Sequence, residues 1–323
     1  MEFFRGLHSL PPDKKPGPGP CVATIGNFDG VHRGHQQLIS ELKKEGGRRK
    51  LPVAVVVFEP TPQEFFAGER SPARLTRFGE KYHLLEDAGV DKLVCLRFGS
   101  ELSAMSPSEF VQRLLVGGMQ LRHLVIGDDF RFGKDRAGDF SFLAQAGEQA
   151  GFTVARTDSF VLDAARVSSS GIRQALKQGD LAQAERWLGR PYGMKGRVIE
   201  GEKLGRRLGF PTANIHPRRT VCPVHGIYAV RVNGPGLERW PGVASIGSRP
   251  TVSAGEEIVL EVHLFDFSGN LYGASLEVLL LHKLREEKHF ASVEALTEQM
   301  KNDADRALRL LAMDEGGSSR ELM

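Results

Sequence analysis

The sequence predicts an α/β protein in which a doubly wound parallel sheet is followed by a small antiparallel β-barrel domain with a carboxy-terminal helix. In the amino-terminal half, apolar β-branched runs alternate with amphipathic helical patterns, which is typical of a parallel sheet with right-handed crossovers. Beyond about residue 187, strand-like segments follow one another without helices between them, which is typical of a small barrel. The 323 residues are enough for two cores, so we place the domains at 1–187 and 188–323.

Charge argues against a nucleic-acid partner. The net charge is +3 and is spread along the chain. The densest basic segment, Lys43–Lys50, lies where the first helix is predicted to end, and cations there complement the helix dipole. We therefore expect a solvated helix end rather than a nucleic-acid surface.

Cysteine usage and hydropathy indicate a cytoplasmic protein. Cys21, Cys95 and Cys222 are few, odd in number and far apart, which disfavours a disulfide framework or a zinc ribbon. No apolar run approaches the roughly 18 residues that a membrane helix needs, so we expect no membrane partner. The segment Met1–Pro20 lacks the apolar core of a signal peptide and is expected to be a partly ordered leader.

The elements of the first domain follow from their periodicity and caps. Leu38, Ile39 and Leu42 mark the first amphipathic helix, and Val53–Phe58 is a β-branched run typical of a buried parallel strand. The other predicted strands are Cys21–Ile25, Lys92–Leu96, Leu121–Ile126 and Phe152–Arg156. The other predicted helices are Arg77–Ala88, Pro107–Leu115, Asp139–Ala150, Ile172–Gln178 and Leu181–Leu188.

The stretch Gly26–His35 has the composition of a phosphate site. It joins a strand to a helix start, its glycines let the backbone approach a ligand closely, and the helix amino terminus favours an anion. His32 and His35 are three residues apart, so both rings could hydrogen-bond a phosphoryl oxygen during nucleotidyl transfer. One alternative is an ordinary turn with solvated histidines. Another is a zinc site, but no nearby Cys or third His supports it.

Three further segments of the first domain are candidates for substrate contacts. Phe58 ends a predicted strand at the ligand edge, and Phe65 and Phe66 follow it. The three are either core residues or a flat surface for a ring system. The loop Gly127–Lys134 is either a flap over a polar aromatic substrate or a segment folded back into the core. Ser168–Arg173 is either a simple helix cap or a phosphate-binding segment that completes a site with the histidine turn, in which one half would hold the α-phosphate and the other the departing pyrophosphate.

These motifs together resemble one family. The H-x-G-H pair is similar to the signature of the nucleotidyltransferase superfamily. The ordered set G-N-F-D-G-V-H-x-G-H, F-E-P-x-P, G-x-D-F-R-F-G and S-S-S-x-I-R resembles the adenylyltransferase module of bacterial bifunctional riboflavin kinase/FMN adenylyltransferases, also called FAD synthetases.

That resemblance implies that the first domain joins FMN to the AMP part of ATP. It implies that His32 and His35 stabilise the transition state. It implies ATP contacts at Gly26, Asn27, Phe28, Gly34, Ser168, Ser169 and Arg173, and flavin contacts at Phe65, Asp129, Phe130 and Arg131. Thr61 stands where many members have His, and Gly171 where many have a larger residue.

The second domain is predicted from short alternating strands. They are Tyr192–Ile199, Ile227–Val232, Gly242–Ile246, Ile258–Phe265 and Ser275–Leu281, and a helix over Ser292–Leu311 should cover one side of the barrel. Gly201–Phe210 is glycine-rich and basic, which suits either phosphate binding or a plain barrel turn, but it lacks the Walker spacing. Thr212 and Asn214 offer two neutral oxygens that could ligate Mg²⁺ together with ATP phosphates.

The second domain resembles the riboflavin kinase module of the same family. The matching motifs are G-x-K-x-G-R, G-F-P-T-A-N, G-V-A-S-I-G-x-R-P-T and L-E-V-H-L-F-D-F-S-G-N-L-Y-G. The resemblance implies Glu261 as the base, which is otherwise an exposed strand residue. It implies nucleotide contacts at Gly201, Lys203, Gly205, Thr212 and Asn214, metal contacts at Thr212 and Asn214, and a flavin contact at Arg285. Glu200 and Ser245 replace the His and Asn expected from the family.

The expected function is therefore bifunctional flavin cofactor synthesis. The barrel would make FMN from riboflavin and ATP, and the sheet domain would make FAD and pyrophosphate from FMN and ATP, with Mg²⁺ accompanying ATP. The alternatives are an adenylyltransferase for a pantetheine or nicotinamide ester, and a non-catalytic flavin- or nucleotide-binding regulator. The expected partners are ATP, riboflavin, FMN and FAD, with at most a weak homo-oligomer.

Overall fold

A computed structural model describes residues 1–6, 17–201, 205, 208–251 and 255–318. The chain divides into two compact units, one formed by Met1–Pro72 with Thr76–Ser169 and the other by Ala73–Leu75 with Ser170–Met323. In the part of the chain that is described, no helix is both long and apolar enough to cross a bilayer.

The first unit is built on a parallel sheet. Its strands are β1 (Glu2–Arg5), β2 (Cys21–Ile25), β3 (Val53–Glu59), β4 (Lys92–Arg97), β5 (Leu121–Gly127) and β6 (Thr153–Thr157). The order across the sheet is β1-β4-β3-β2-β5-β6, and every neighbouring pair is parallel. Cys21 and Ala23 enter one apolar cluster while Val22 between them enters another, so both faces of the sheet are covered. The predicted doubly wound parallel sheet is confirmed.

Helices cover this sheet, most of them at the places that periodicity predicts, whereas the two short helices over Pro62–Ala67 and Ser100–Ser103 were not predicted. The helices are α1 (Arg33–Arg49), α2 (Pro62–Ala67), α3 (Phe78–Asp87), α4 (Ser100–Ser103), α5 (Pro107–Phe110) and α6 (Phe140–Ala150). The predicted helix Pro107–Leu115 is α-helical only to Phe110 and continues as a π-helix over Val111–Gly118, which keeps Val111, Leu114 and Leu115 buried together. Short 3₁₀ turns occupy Gly68–Arg70 and Lys134–Arg136, and β7 (Val161–Leu162) and β8 (Ala165–Arg166) form a small hairpin.

The segment Met1–Pro20, expected to be a partly ordered leader, contributes a strand to the sheet at its amino end. Glu2–Arg5 forms β1 at the sheet edge, pairing with β4. The amino group of Met1 bonds Glu86 at 3.0 Å, and the Tyr82 hydroxyl donates to the Met1 carbonyl at 2.9 Å. A strand of four residues is too short to be predicted from the alternation of apolar and polar residues. The rest of that segment from 7 to 16 lies outside the described residues.

The second unit is a closed barrel with flanking helices. Its elements are α7 (Ser169–Gln178), α8 (Leu181–Leu188), β9 (Tyr192–Ile199), β10 (Ala213–His216), β11 (Gly226–Gly234), β12 (Leu237–Thr251), β13 (Gly255–Leu264), β14 (Ser275–Arg285) and α9 (Val293–Ser318). The strand order β10-β13-β12-β11-β14-β9 closes on itself, and all pairs are antiparallel. The predicted barrel is confirmed.

Alternation on β13 separates the inside of the barrel from the outside. Leu260, Val262 and Leu264 point into the central core, whereas Glu261 and His263 between them are half-buried on the outer face. Part of that outer face is covered by α9, whose residues share an apolar cluster with β11, β12 and β14. The predicted carboxy-terminal helix against the barrel is therefore present.

The helices α7 and α8 pack with the second unit. Ile172, Leu176 and Leu188 are buried in the same cluster as Tyr228 of the barrel. The boundary between the two compact units thus falls at Ser169. The predicted boundary at residue 187 separates the two proposed activities, and it stays a prediction.

Candidate functional site

The first candidate site is the turn between β2 and α1. The Asp29 carboxylate is buried and accepts hydrogen bonds from the backbone N–H (3.0 Å) and the hydroxyl (3.3 Å) of Thr76. The Gly30 N–H donates to the same hydroxyl at 3.0 Å, and Gly30 has a φ of +83° that favours glycine. Thr76, two residues before α3 begins, therefore fixes the turn.

The histidine pair lies at the start of α1 with its rings stacked. The ring centroids of His32 and His35 are 3.6 Å apart and the planes 17° apart. His32 caps the helix, since its Nδ1 accepts the N–H of His35 at 3.4 Å, and a neutral His32 consequently carries its proton on Nε2. A Cβ at Gly34 would lie 3.2 Å from the His32 ring, so glycine there makes room for the imidazole.

The environment of His35 favours the neutral imidazole. Its pKa is well below the usual value, first because of burial and then because of the charges of His32 and Lys81. The ring packs against Phe28 at 4.8 Å, and Nδ1 is buried without a hydrogen-bond partner in the described residues. At neutral pH His35 thus presents an uncharged ring beside the helix amino terminus that His32 caps.

The predicted ATP contacts of the first unit lie close to this pair. Gly26, Asn27 and Phe28 belong to the same turn. The structure also brings Ser169 there, because its hydroxyl donates to the Asp29 carbonyl at 2.9 Å. Ser168 precedes it and is half-buried.

The helix α7 begins at Ser169, three residues earlier than predicted, so Ser169 and Ser170 lie inside the helix. Arg173, one turn further along α7, belongs to the second unit. Its Nε donates to the Ala73 carbonyl at 2.6 Å.

Aromatic rings collect where β3 ends. Phe65 and Phe66 are 40% and 70% exposed, and each packs edge-on against Phe98. Of the two interpretations of this segment, a surface fits Phe65 and Phe66. Phe58 instead packs on the buried core.

The loop after β5 is folded back at its centre. Phe132 is buried and contacts Phe110 and Phe142, and Phe130 stacks on Phe132 with centroids 5.8 Å apart. For Phe132 the core interpretation therefore holds. Two charged residues of the loop form ion pairs that are exposed: Asp129 with Arg166 at 2.9 Å and Arg131 with Asp139 at 3.1 Å.

The second candidate site is a row of residues across five barrel strands. Asn214 lies opposite Glu261, Glu261 opposite Ser245, Ser245 opposite Ile227, and Ile227 opposite Arg285. Residues paired in this way share one face of a sheet, and all five line one cavity of about 210 Å³. Leu296, Met300 and Ala304 of α9 close this cavity with apolar side chains, and Asp303 adds a carboxylate.

Two glycines bring backbone close to the polar end of this cavity. A Cβ at Gly201 would lie 2.2 Å from the Asn214 amide, and one at Gly205 would lie 2.3 Å from the Phe210 carbonyl and 3.3 Å from the Thr212 hydroxyl. Thr212 lines both this cavity and a second one of about 660 Å³ bordered by Asn270 and Tyr272. Lys203 lies outside the described residues.

A second carboxylate lies near Glu261. Burial raises the pKa of Glu287, and the charge of Glu261 adds to the rise, while His225 and Arg285 oppose it. The carboxylate of Glu287 occupies the space that a Cβ at Gly247 would fill.

Comparisons with known proteins match both units. A family model described as FAD synthetase matches residues 14–171, and one described as riboflavin kinase matches residues 188–311. Proteins named bifunctional riboflavin kinase/FMN adenylyltransferase are similar over nearly the whole chain. That of Escherichia coli strain K12 is 48% identical over 94% of this chain and 96% of its own length, and that of Pseudomonas fluorescens is 48% identical over 97% and 98%.

The chain belongs to the bifunctional riboflavin kinase/FMN adenylyltransferase family. A solved structure from Streptococcus pneumoniae, named a macrolide-efflux protein, has a similar fold. Its TM-score is 0.79 at 28% identity, covering 94% of this chain and 97% of that one.

Two departures from the family pattern have a structural account. Thr61 caps α2, with its hydroxyl accepting the Glu64 N–H at 3.3 Å and the Glu64 carboxylate accepting the Thr61 N–H at 2.8 Å. Ser245 lies in the row beside Glu261. Nothing in the structure explains the departures at Gly171 and Glu200.

Sequence reasoning missed two polar residues of the cavity that Glu261 lines, Asp303 and His263. Asp303 holds Arg285, with Nη2 to Oδ2 at 2.8 Å and Nε to the two carboxylate oxygens at 3.0 and 3.2 Å. No local sequence motif predicts this ion pair, because Arg285 lies on a strand and Asp303 on a helix further along the chain. His263 could have been found, since it lies two residues after Glu261 on the same face of a strand.

Proposed function

We infer that this chain catalyses two consecutive reactions. It transfers the γ-phosphoryl group of ATP to riboflavin, giving FMN and ADP. It then transfers AMP from a second ATP to FMN, giving FAD and pyrophosphate. The observation that carries this conclusion is the match of each unit to its own enzyme family, within one chain that is 48% identical to named bifunctional enzymes over 94% of its length.

For the kinase reaction we propose Glu261 as the base. Its neighbours Asn214 and Ser245 on the adjacent strands are polar, while Leu296, Met300 and Ala304 offer apolar walls to a flavin ring. A riboflavin hydroxyl beside Glu261 would lose its proton to the carboxylate as it attacks the γ-phosphorus. Arg285, tied to Asp303, would border the flavin.

We propose that Thr212 and Asn214 hold the divalent cation that accompanies ATP. Kinase and nucleotidyltransferase families generally use ATP with such a cation. Hydroxyl and amide oxygens are hard ligands, and two ligands from protein with the rest from water and phosphate suit Mg²⁺. The close glycines Gly201 and Gly205 support this choice, because the lack of a Cβ lets the backbone of this loop approach Asn214 and Thr212 closely. When bound, Mg²⁺ neutralises charge on the transferring phosphoryl group.

For the adenylyl transfer we propose His32 and His35 as donors to the α-phosphate. A phosphate oxygen of FMN would attack the α-phosphorus, and pyrophosphate would leave. The Nε2–H of His32 and the amino terminus of α1 would bind the negative charge that develops on the phosphoryl oxygens. Ser168, Ser169 and Arg173 would bind ATP phosphates, and Phe65 with Asp129, Phe130 and Arg131 would contact the flavin.

Several further assignments stay proposals. We assign the adenylyltransferase to residues 1–187 and the kinase to residues 188–323, and any self-association is expected to be weak. The three cysteines are free and buried, which supports a cytoplasmic location.

The test is incubation of the full chain with riboflavin, ATP and Mg²⁺, followed by chromatography that separates riboflavin, FMN and FAD. We expect FMN first and FAD later, and FAD directly when FMN replaces riboflavin. Reactions without ATP are the control. An adenylyltransferase for another acceptor would give neither product, and a flavin-binding regulator would leave riboflavin unchanged. Either result would overturn the proposed function.

A further inference from the structure

The His263 side chain holds the segment that carries Thr212, at the point where the pairing of β10 with β13 ends. The strand β10 begins at Ala213, which pairs with Val262 of β13, and the register would place Thr212 opposite His263. At this position the His263 imidazole forms a hydrogen bond with the chain in place of a ladder bond, since its Nδ1 lies 2.9 Å from the carbonyl oxygen of Pro211. Thr212 is thus fixed from both sides.

The geometry shows that Nδ1 of His263 carries a proton. A carbonyl oxygen only accepts, so Nδ1 carries the proton and donates it to Pro211. The ring is fixed by aromatic neighbours, with Phe210 at 5.3 Å and Phe265 at 5.7 Å between centroids. The hydrogen bond therefore joins the chain just before Thr212 to the strand that bears Glu261.

The barrel itself does not depend on this bond. The pairing of β10 with β9 and β13 begins after Thr212, and Ile215 of β10 is buried in the central core. Loss of the His263 bond should consequently free Pro211 and Thr212 while the ladder stays closed.

We propose that His263 is a positioning residue of the kinase reaction, which holds the Thr212 hydroxyl in place for the phosphates and cation of Mg·ATP. This rests on the proposed kinase function of the same cavity. His263 lines that cavity together with Glu261, so an alternative outcome of the test is direct contact with riboflavin.

Two substitutions separate the hydrogen bond from the ring. In His263→Asn the amide nitrogen can occupy the position of Nδ1 and donate to Pro211, whereas His263→Leu has similar size and no donor. The first readout needs no substrate: amide hydrogen exchange of Thr212 and Ala213 should be at least tenfold faster in His263→Leu and close to wild type in His263→Asn.

The second readout is steady-state kinetics of riboflavin phosphorylation. We expect kcat/KM for Mg·ATP to fall about tenfold in His263→Leu and to return to within about threefold of wild type in His263→Asn, with the KM for riboflavin unchanged. FAD formation from supplied FMN uses the other proposed site, in the first unit, and should be unchanged in both variants.

The proposal is overturned if exchange and kcat/KM in His263→Leu match the wild type, or if His263→Asn is as impaired as His263→Leu. It is also overturned if the loss appears in the KM for riboflavin. A wild-type chain that makes no FMN would instead refute the kinase function, and the exchange measurement would still test the anchoring of Thr212.

Discussion

His32 and His35 stack face to face with their ring centroids 3.6 Å apart, and the backbone N–H of His35 donates to Nδ1 of His32. The stacking contact restricts the orientation of both rings, and the hydrogen bond from the α1 backbone orients the ring of His32. Two imidazole rings at one helix start form a compact group of donors for a phosphoryl oxygen.

The first prediction concerns His32→Ala. Because removal of one transition-state donor typically lowers kcat by about 10²–10³, FAD formation from FMN should fall by that factor. Riboflavin phosphorylation should be unchanged, since Glu261 lies in the other unit. Chromatography of both products measures the two rates together. Gln37→Ala, on the exposed side of α1, is the matched control, and loss of both activities in His32→Ala would contradict the separation of the sites.

The second prediction concerns the pH dependence of His35. Its pKa in the folded chain is well below the usual value, so the unfolded chain binds a proton near pH 6.5 that the folded chain does not bind. The free energy of unfolding should therefore decrease as the pH falls below about 6.5, by at most roughly 1.4 kcal/mol per pH unit.

NMR of the His35 ring measures this directly. Its Cε1 proton shift should stay constant through the pH range around 6.5 in which an ordinary histidine titrates. A His35 shift that titrates near pH 6.5 would show that the ring is not held neutral.

The third prediction concerns Glu261→Gln. If the carboxylate accepts the hydroxyl proton, the rate of riboflavin phosphorylation should fall by about 10²–10⁴, and FAD formation from supplied FMN should be unchanged. Glu238→Gln is the control, because Glu238 is exposed on β12 and carries the same charge change. Equal effects of the two variants would refute Glu261 as the base and turn attention to Glu287.

The fourth prediction concerns Asp303→Asn. The Asp303 carboxylate is 8% exposed and its partner Arg285 is 19% exposed. Removal of one partner from a buried ion pair costs about 3–5 kcal/mol, and the partial exposure of Arg285 lowers the expected loss to about 2–3 kcal/mol. Urea unfolding followed by tryptophan fluorescence reports on the second unit, because Trp187 and Trp240 both lie there.

The control for this measurement is Asp305→Asn. Asp305 is exposed two residues further along the same helix, and its substitution should change the unfolding free energy by less than about 0.5 kcal/mol. Equal stability of the two variants would mean that Arg285 and Asp303 do not stabilise the position of α9.

The sequence predicts elements better than it predicts contacts across them. The β-branched run in β3 and the alternation in β13 determine strands and their buried faces, and the spacing of His32 and His35 predicts neighbouring rings. The row that joins Asn214, Glu261 and Arg285 needs the register of several strands, which includes a bulge between β11 and β14. Periodicity does not specify such a register.

Aromatic residues in loops show the same limit. A loop pattern does not distinguish Phe132, which is 7% exposed, from Phe66, which is 70% exposed. The difference depends on whether a buried neighbour such as Phe110 is within reach, and that neighbour comes from a distant part of the chain.

The last prediction concerns Phe65→Ala. Phe65 is 40% exposed and is packed edge-on by Phe98, so it offers a supported aromatic face where a parallel strand ends. An aromatic pair contributes about 0.5–1.5 kcal/mol beyond burial, so loss of the ring should raise the KM for FMN in FAD formation by about 3- to 10-fold. The turnover number should change little, because the phosphoryl donors at His32 and His35 are untouched.

Phe3→Ala is the matched control for this substitution. Phe3 is 43% exposed and packs against Phe78 and Tyr82 from the edge strand β1. Its loss removes the same surface area without touching the segment after β3, so the KM for FMN should match the wild type. If both variants raise that KM equally, Phe65 acts through the stability of the unit, and the flavin contact must be sought among Asp129, Phe130 and Arg131. If only Phe65→Ala raises it, the aromatic surface after β3 binds the flavin.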